Sequence, residues 1–213
     1  MSTTLYEAFL PEVMPDLPGC PEPMVINAIR NAAIEFCERS WAWRVDLDPI
    51  DAIANQAVYD LSPPNSSVVC HVIYVDFMGK QLFPATPDQL NDIWRGWRTV
   101  KNVQPTYFFL PDQRTIQLVA APSAATVAAV NMTVALKPTR TSKGLETVVY
   151  EEYAEGIAHG AKARLNAQIN KEWTDKELSV YHNSMFMESY GMANLSAAKS
   201  FTRSPFRTRA HFI

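Results

Sequence analysis

Val25-Ile-Asn-Ala-Ile-Arg-Asn-Ala-Ala-Ile-Glu-Phe-Cys-Glu-Arg-Ser-Trp-Ala-Trp-Arg-Val-Asp-Leu47 changes its period part-way along. As far as Ser40 the apolar residues Val25, Ile29, Ala32, Ala33 and Phe36 recur at helical spacing, with Arg30, Asn31, Glu35 and Glu38 off the stripe. From Trp41 that spacing stops, and strand-forming residues take over. A helix over Glu22–Ser40 is expected, with Pro23 in the first turn, where its missing N–H costs nothing. The switch implies a helical protein interrupted by β structure.

Upstream of this stretch, Pro11–Pro23 holds five prolines and Gly19, and reads as an extended, turning connector. Thr4-Leu-Tyr-Glu7 reads as the cap of a short helix with Leu5 and Phe9 pointing inward. Downstream, strands are expected at Arg44–Leu47, Gln56–Leu61, Val68–Met78, Gln81–Phe83, Thr106–Leu110, Arg114–Val119 and Val127–Leu136. Met78-Gly-Lys-Gln81 and Leu110-Pro-Asp-Gln-Arg114 read as hairpin turns. Thr86-Pro-Asp-Gln89 signals one short helix by a capping box, ending before Gly96.

Helix returns after Gly144, over about Leu145–Gln168, with Val149, Tyr153, Ile157, Ala161 and Leu165 on one stripe. Gly156 and Gly160 lie inside it, each costing about 1 kcal/mol relative to alanine, so a close backbone approach by another helix is expected. A last helix is expected over Asp175–Lys199, capped by Thr174 and Glu177 with Trp173 and Leu178 as the staple. Its Leu178, Tyr181, Met185, Met192 and Leu195 should face inward or toward a partner. The fold class is therefore α+β: a helical bundle from 1–41 and 138–199, an inserted antiparallel β domain at 42–137, sandwich- or barrel-like with one short helix, and an extended arm at 200–213.

That arm is the most informative stretch for function. From Leu145 to Glu188 acids outnumber bases eight to four, whereas from Ser189 to Ile213 there are four bases and no acid. Phe201, Phe206 and Phe212 are interleaved with Arg203, Arg207 and Arg209. Aromatic and arginine side chains are the types that anchor interfaces, so the arm reads as a segment docking on a partner or on a neighbouring copy. A hydrophobic content of 47% allows a sizeable core, and a net charge of −3 argues against a general nucleic-acid binder. Cys20, Cys37 and Cys70 have no CxxC spacing and read as reduced thiols. No signal peptide pattern and no apolar run approaching the ~20 residues of a membrane span is present.

Glu151, Glu152, Glu155 and His159 crowd one helix and raise the question of a metal or acid/base site. A di-iron bundle needs Glu-x-x-His on each of two helices; here the spacing is Glu-x-x-x-His and it occurs once, so a solvated face is the better reading. His71, in an apolar strand, reads as a core or interface residue. Asp46, Asp48 and Asp51 lack the glycine and glutamate of a calcium loop and read as a strand end and turn. No nucleophile elbow, Walker loop or dinucleotide fingerprint is present. Trp94, Arg95, Trp97 and Arg98 form an aromatic–basic patch, read as tryptophans packing on the sheet with arginines in water, and compatible with a subunit contact.

The chain resembles the head-to-tail adaptor (connector) proteins of short-tailed bacteriophages, the class related to tail tubular protein A. The resemblance rests on Phe9-Leu-Pro-Glu-Val-Met-Pro, Gly19-Cys-Pro-Glu-Pro, Ala28-Ile-Arg-Asn-Ala-Ala-Ile-Glu-Phe-Cys-Glu-Arg-Ser-Trp41, Asp112-Gln-Arg-Thr-Ile-Gln-Leu118, Glu155-Gly-Ile-Ala-His-Gly-Ala-Lys-Ala-Arg-Leu165, and the tryptophan-led last helix with its Phe/Arg tail. It implies a homo-oligomeric ring, dodecameric, between the portal protein and the tail nozzle protein at the virion's head–tail junction, assembled in the host cytoplasm. It implies helices in the ring body, a β domain projecting outward, no enzyme activity, no cofactor and no membrane. A mildly acidic body suits a conduit through which DNA slides without specific binding; Glu151, Glu152 and Glu155 are the candidate channel-facing acids. The rival readings are a receptor- or glycan-binding tail component using Tyr107, Phe108 and Phe109, a head-completion or tail-terminator protein, and a small metal-dependent hydrolase built on Glu151–His159.

Overall fold

The segment expected to cap a first helix forms a strand instead. In the computed structural model, which describes residues 2–199, β1 (Thr3–Leu5) pairs antiparallel with Gly144–Glu146, and a 3-10 turn, Tyr6–Phe9, follows. Leu5 stays exposed, while Tyr6 and Phe9 are buried. The Tyr6 hydroxyl shares a 2.8 Å hydrogen bond with Ser142 Oγ, and burial pushes its phenol up to about 12. The proline-rich stretch also differs from expectation. It holds α1 (Leu10–Val13) and a 3-10 turn, Met14–Asp16, because Pro11 and Pro15 fall in first turns, where proline is tolerated. α2 (Glu22–Ser40) has the expected bounds. It ends at Trp41, whose φ is 52° and whose N–H donates to the Cys37 carbonyl at 3.0 Å.

The chain divides at Trp43/Arg44 and again at Thr139/Arg140 into two units. The β unit runs through β2 (Arg44–Asp46), β3 (Ile50–Ala52), β4 (Val58–Asp60), β5 (Ser67–Phe77), β6 (Lys80–Gln81), β7 (Phe83–Pro84), α3 (Pro87–Ile93), β8 (Lys101–Asn102), β9 (Tyr107–Phe109), β10 (Thr115–Val119), β11 (Ala121–Pro122) and β12 (Thr126–Pro138). One sheet has the order β2-β12-β5-β6, with β3 also on β12; a second has the order β4-β10-β9-β7. Met78 and Gly79, with φ of 52° and 78°, make the two-residue turn between β5 and β6, which suits the twist of the flanking strands. Asp112 Oδ1 accepts from the N–H groups of Arg114 and Thr115 at 2.6 and 2.9 Å and closes the β9–β10 turn. The Thr86–Gln89 capping box is complete, at 3.2 and 2.9 Å. Two short pairs, β7 with β9 and β8 with β11, are parallel, which departs from a wholly antiparallel domain. The chain between β7 and β9 includes α3, and a parallel pair needs a crossover of this kind. Phe77, Leu82, Ile116, Leu118 and Leu136 are buried at the centre of this unit.

The helical unit resumes with β13 (Gly144–Glu146), α4 (Thr147–Asn166) and α5 (Lys176–Lys199). The expected start of α4 is displaced because β13 serves as the partner of β1. A Cβ on Gly144 would collide with the Thr4 carbonyl. In α4, Val149, Ile157, Ala161 and Leu165 are buried as expected, and the helix kinks at Tyr153, whose ring lies 5.2 Å from that of Phe36. α2, α4 and α5 pack on one another. The close approaches at Gly156 and Gly160 are made by side chains: Ser189 of α5 at the first, Phe186 of α5 and Ala32 of α2 at the second. The α5 cap also differs from expectation. Asp175 Oδ1 accepts from the N–H groups of Glu177 and Leu178, each at 2.9 Å. Thr174 Oγ1 instead donates to the Gln168 carbonyl at 2.7 Å and accepts from Lys171 N–H at 2.9 Å, so it ties the connecting loop.

Candidate interaction surfaces

α5 buries Phe186, Ala193 and His182, and turns its other apolar residues outward. Leu178 is 41% exposed, Tyr181 53%, Met192 62% and Leu195 51%, with Met185 half-buried among them. These five recur at helical spacing on one face, interrupted midway by the exposed Glu188. The inward alternative expected for this stripe is thus overturned: His182, Phe186 and Ser189 make the fit against α4. An outward apolar stripe of this length is the kind of surface that a partner covers.

Glu151, Glu152 and Glu155 are exposed on α4, the Glu155 side chain at 90%. His159, one turn further, does not share that solvated face. It is half-buried, and its Nδ1 lies 2.7 Å from Nδ1 of His182 on α5, one ring donating and the other accepting. Burial holds both imidazoles below the ordinary histidine range. For His159 Lys162 adds to the lowering, while Glu155, Asp16 and Glu12 oppose it; for His182 His159 and Lys162 add to it, while Asp16 opposes it. Lys162 Nζ itself pairs with Asp16 at 2.5 Å. This histidine pair escaped the sequence reading. Its signal was His182 standing four residues from the buried Phe186, and His159 standing beside Gly160 where α5 approaches. Among the described residues no group of three or more His, Cys, Asp or Glu side chains is placed to hold a metal ion.

Elsewhere in the helical unit, Glu35 bridges Arg39, at 2.8 Å, and Arg164. Arg140 lines the same open polar cavity. In the β unit Trp97 is buried with Ala85, Leu90 and Val119, and Trp94, Tyr107 and Phe109 pack partly buried around them. Trp97 Nε1–H donates to Asn91 Oδ1 at 3.0 Å, and the Arg98 guanidinium lies 4.4 Å from the centre of the Trp97 ring. The accessible part of this patch is therefore Arg95 and Arg98, with Trp94 half-exposed. Phe108 is buried, and Tyr107 and Phe109 are half-buried, packed against the Trp97 cluster. His71 is exposed on β5 and is no core residue. Asp46 accepts from Thr133 Oγ1 at 2.5 Å, and Asp51 accepts from Ala128 N–H at 2.7 Å, consistent with structural roles. The arm residues Phe201, Arg203, Phe206, Arg207, Arg209 and Phe212 lie outside the described residues.

The surfaces among the described residues thus include an apolar stripe on α5 and charged patches on both units. A family model described as SU10 adaptor protein matches residues 4–209. The chain belongs to the SU10 adaptor protein family. The match spans both units and most of the arm, so the family pattern runs through the β insertion and past α5. An SU10 adaptor protein is a phage structural protein of the virion, which is not an enzyme class. No curated protein matches the chain. No helix among the described residues is long and apolar enough to cross a membrane.

Proposed function

We propose that copies of this chain form a ring, dodecameric as in the tail tubular protein A class it resembles, that joins the portal to the tail nozzle at the head–tail junction. The observation that carries this reading is the adaptor family match over residues 4–209. The unburied stripe Leu178–Leu195 on α5 supports it, because such a surface is covered in an assembly and not in a lone chain. DNA passes through the ring without being held. A net charge of −3 suits this, since a strongly basic lining would retain the phosphate backbone. The exposed Glu151, Glu152 and Glu155 are the candidate channel-facing acids.

The arm docks the ring onto the portal or onto a neighbouring copy. Phe201, Phe206 and Phe212 act as apolar anchors, and Arg203, Arg207 and Arg209 make charge-assisted bonds to carboxylates or carbonyls. The free chain is monomeric or weakly associating, and the arm orders on assembly. The test is light scattering and negative-stain imaging of the full chain, alone and with its portal, beside a chain ending at Lys199. Ring density capping the portal, lost on the truncation, is the expected result. A chain that remains monomeric and ignores the portal overturns the adaptor ring, and normal docking by the truncated chain overturns the arm.

A further inference from the structure

β5 carries a sheet edge that its neighbours leave open. On one side it pairs with β12 from Ser67 to Phe77, with register shifts at Cys70 and Ile73. On the other, β6 pairs only with Asp76 and Phe77, and Leu82 N–H adds one bond to the Val75 carbonyl at 2.9 Å. At Leu82 the chain leaves β5 for β9: Phe83 N–H donates to the Thr106 carbonyl, and Ala85 N–H to the Phe108 carbonyl, each at 3.0 Å. The divergence opens a wedge of about 860 Å³. Val72 and Ile73 of β5 form one wall, and Pro84, Pro87, Phe109 and Pro111 form the other. Among the described residues no strand pairs with Val72–Tyr74 on this side. An open edge in an apolar groove is a template for an added strand.

The sequence holds a segment with the matching pattern. In Phe206-Arg-Thr-Arg-Ala-His-Phe-Ile213, Phe206, Thr208, Ala210 and Phe212 fall on alternate positions, with Arg207, Arg209 and His211 between them. Period two with one basic side is the signature of a strand that buries one face, and no glycine or proline follows Pro205. The charges also suit. Asp88 stands between the lining residues Pro87 and Gln89, and Asp112 follows the lining residue Pro111; both acids are exposed. Ser200–Pro205 provides a leader of roughly 20 Å when extended.

We infer that Phe206–Ile213 of one copy adds as a strand to the open edge of β5 at Val72–Tyr74 in a second copy, with Phe206 and Phe212 in the wedge and Arg207 and Arg209 toward the acidic rim. This rests on the reading of the arm as a docking segment and assigns its distal half to the neighbouring copy rather than the portal. Exchanged in this way around a ring, the arms tie each subunit to the next through backbone hydrogen bonds.

The test is amide hydrogen exchange of the full-length chain, with and without an excess of a synthetic Ser200–Ile213 peptide. The expected result is slowed exchange at Val72–Tyr74 on adding peptide, and the same slowing as the concentration of the chain itself is raised. A peptide carrying F206S and F212S should bind about tenfold more weakly or worse. A peptide that leaves Val72–Tyr74 unchanged, or slows exchange only elsewhere, overturns the proposal. Protection that is already complete and independent of concentration overturns it too, since the arm would then lie in its own groove. If truncation after Lys199 abolishes portal docking while the peptide leaves β5 unchanged, the docking arm stands and the exchanged strand falls.

Discussion

Gly160→Ala and Gly191→Ala make the same change in two helices, and the structure separates their outcomes. Helix propensity alone favours alanine at both by about 1 kcal/mol. At Gly191, inside α5, an added methyl meets nothing within 4 Å, so the gain is expressed and the variant is stabilised by about 0.5–1 kcal/mol. At Gly160 the methyl would sit 2.7 Å from Cδ2 and Cε2 of Phe186 and 3.1 Å from Cβ of Ala32. The Phe186 ring is held edge-on by Tyr190 at 5.4 Å and tilted against Phe36 at 6.2 Å, and the neighbours come from two different helices, which limits the relief available. Overpacking of this kind costs about 1–3 kcal/mol. It outweighs the propensity gain, and a net loss of about 1 kcal/mol is expected. Urea unfolding followed by far-UV circular dichroism compares the midpoints. Adding Phe186→Leu to Gly160→Ala should lower the penalty of the glycine change relative to the same change made in the unaltered chain. A Gly160→Ala midpoint equal to or above that of the unaltered chain would refute the tight wedge of α4 between α2 and α5.

The other expectations follow from individual contacts. Asp175→Ala removes the α5 cap and should cost about 1 kcal/mol by the same unfolding assay, with Asp175→Asn retaining most of the stability. The His159–His182 pair is buried in its neutral form, so each folded pKa lies below the unfolded value and the unfolded chain takes up protons first. Its stabilisation is therefore present above the ordinary histidine pKa and is lost as pH falls from about 7 toward 5. His182→Gln should flatten that slope in unfolding midpoints measured across the range; an unchanged slope would place the pH dependence elsewhere. Met192→Lys with Leu195→Lys puts two charges on the exposed α5 stripe, so the midpoint should shift little while ring formation on the portal is lost in negative-stain images. Ring formation undisturbed by both lysines would remove the stripe from the subunit interface.

Much of the architecture was legible where local chemistry acts alone. The change of period at Trp41, the Thr86–Gln89 capping box and the Met78-Gly79 turn depend on residues within a few positions of one another, and each formed as its pattern indicates. Most of the misreadings involve partners distant in sequence; the cap of α5 is the local exception, its competitors lying within six residues of Thr174. Thr3–Leu5 became a strand because Gly144–Glu146 offers it an edge, which no window around Thr4 contains. Asp175 took the cap of α5 because Thr174 is engaged by Gln168 and Lys171. α5 is apolar on more than one side, so its periodicity could not choose the buried face; the choice came from Ser189, which fits against Gly156, and Phe186, which fits against Gly160. The histidine pair likewise required the register of α4 on α5, which sequence spacing does not contain.

The insertion of the β unit has a consequence for the order in which the molecule assembles itself. α2 precedes it and its packing partners α4 and α5 follow it, so the helical unit cannot close until both ends of about a hundred intervening residues are brought together. β2 and β12, the first and last strands of the insertion, are antiparallel neighbours, with Arg44 opposite Ala135. Their pairing carries out that closure and leaves the chain entering and leaving the β unit side by side. During synthesis α2 must therefore wait with its apolar stripe uncovered, and the β unit acts as the clasp that returns the chain to it. A substitution that slows β2–β12 pairing should then delay the appearance of native helix packing, though no residue of the helical unit has been altered.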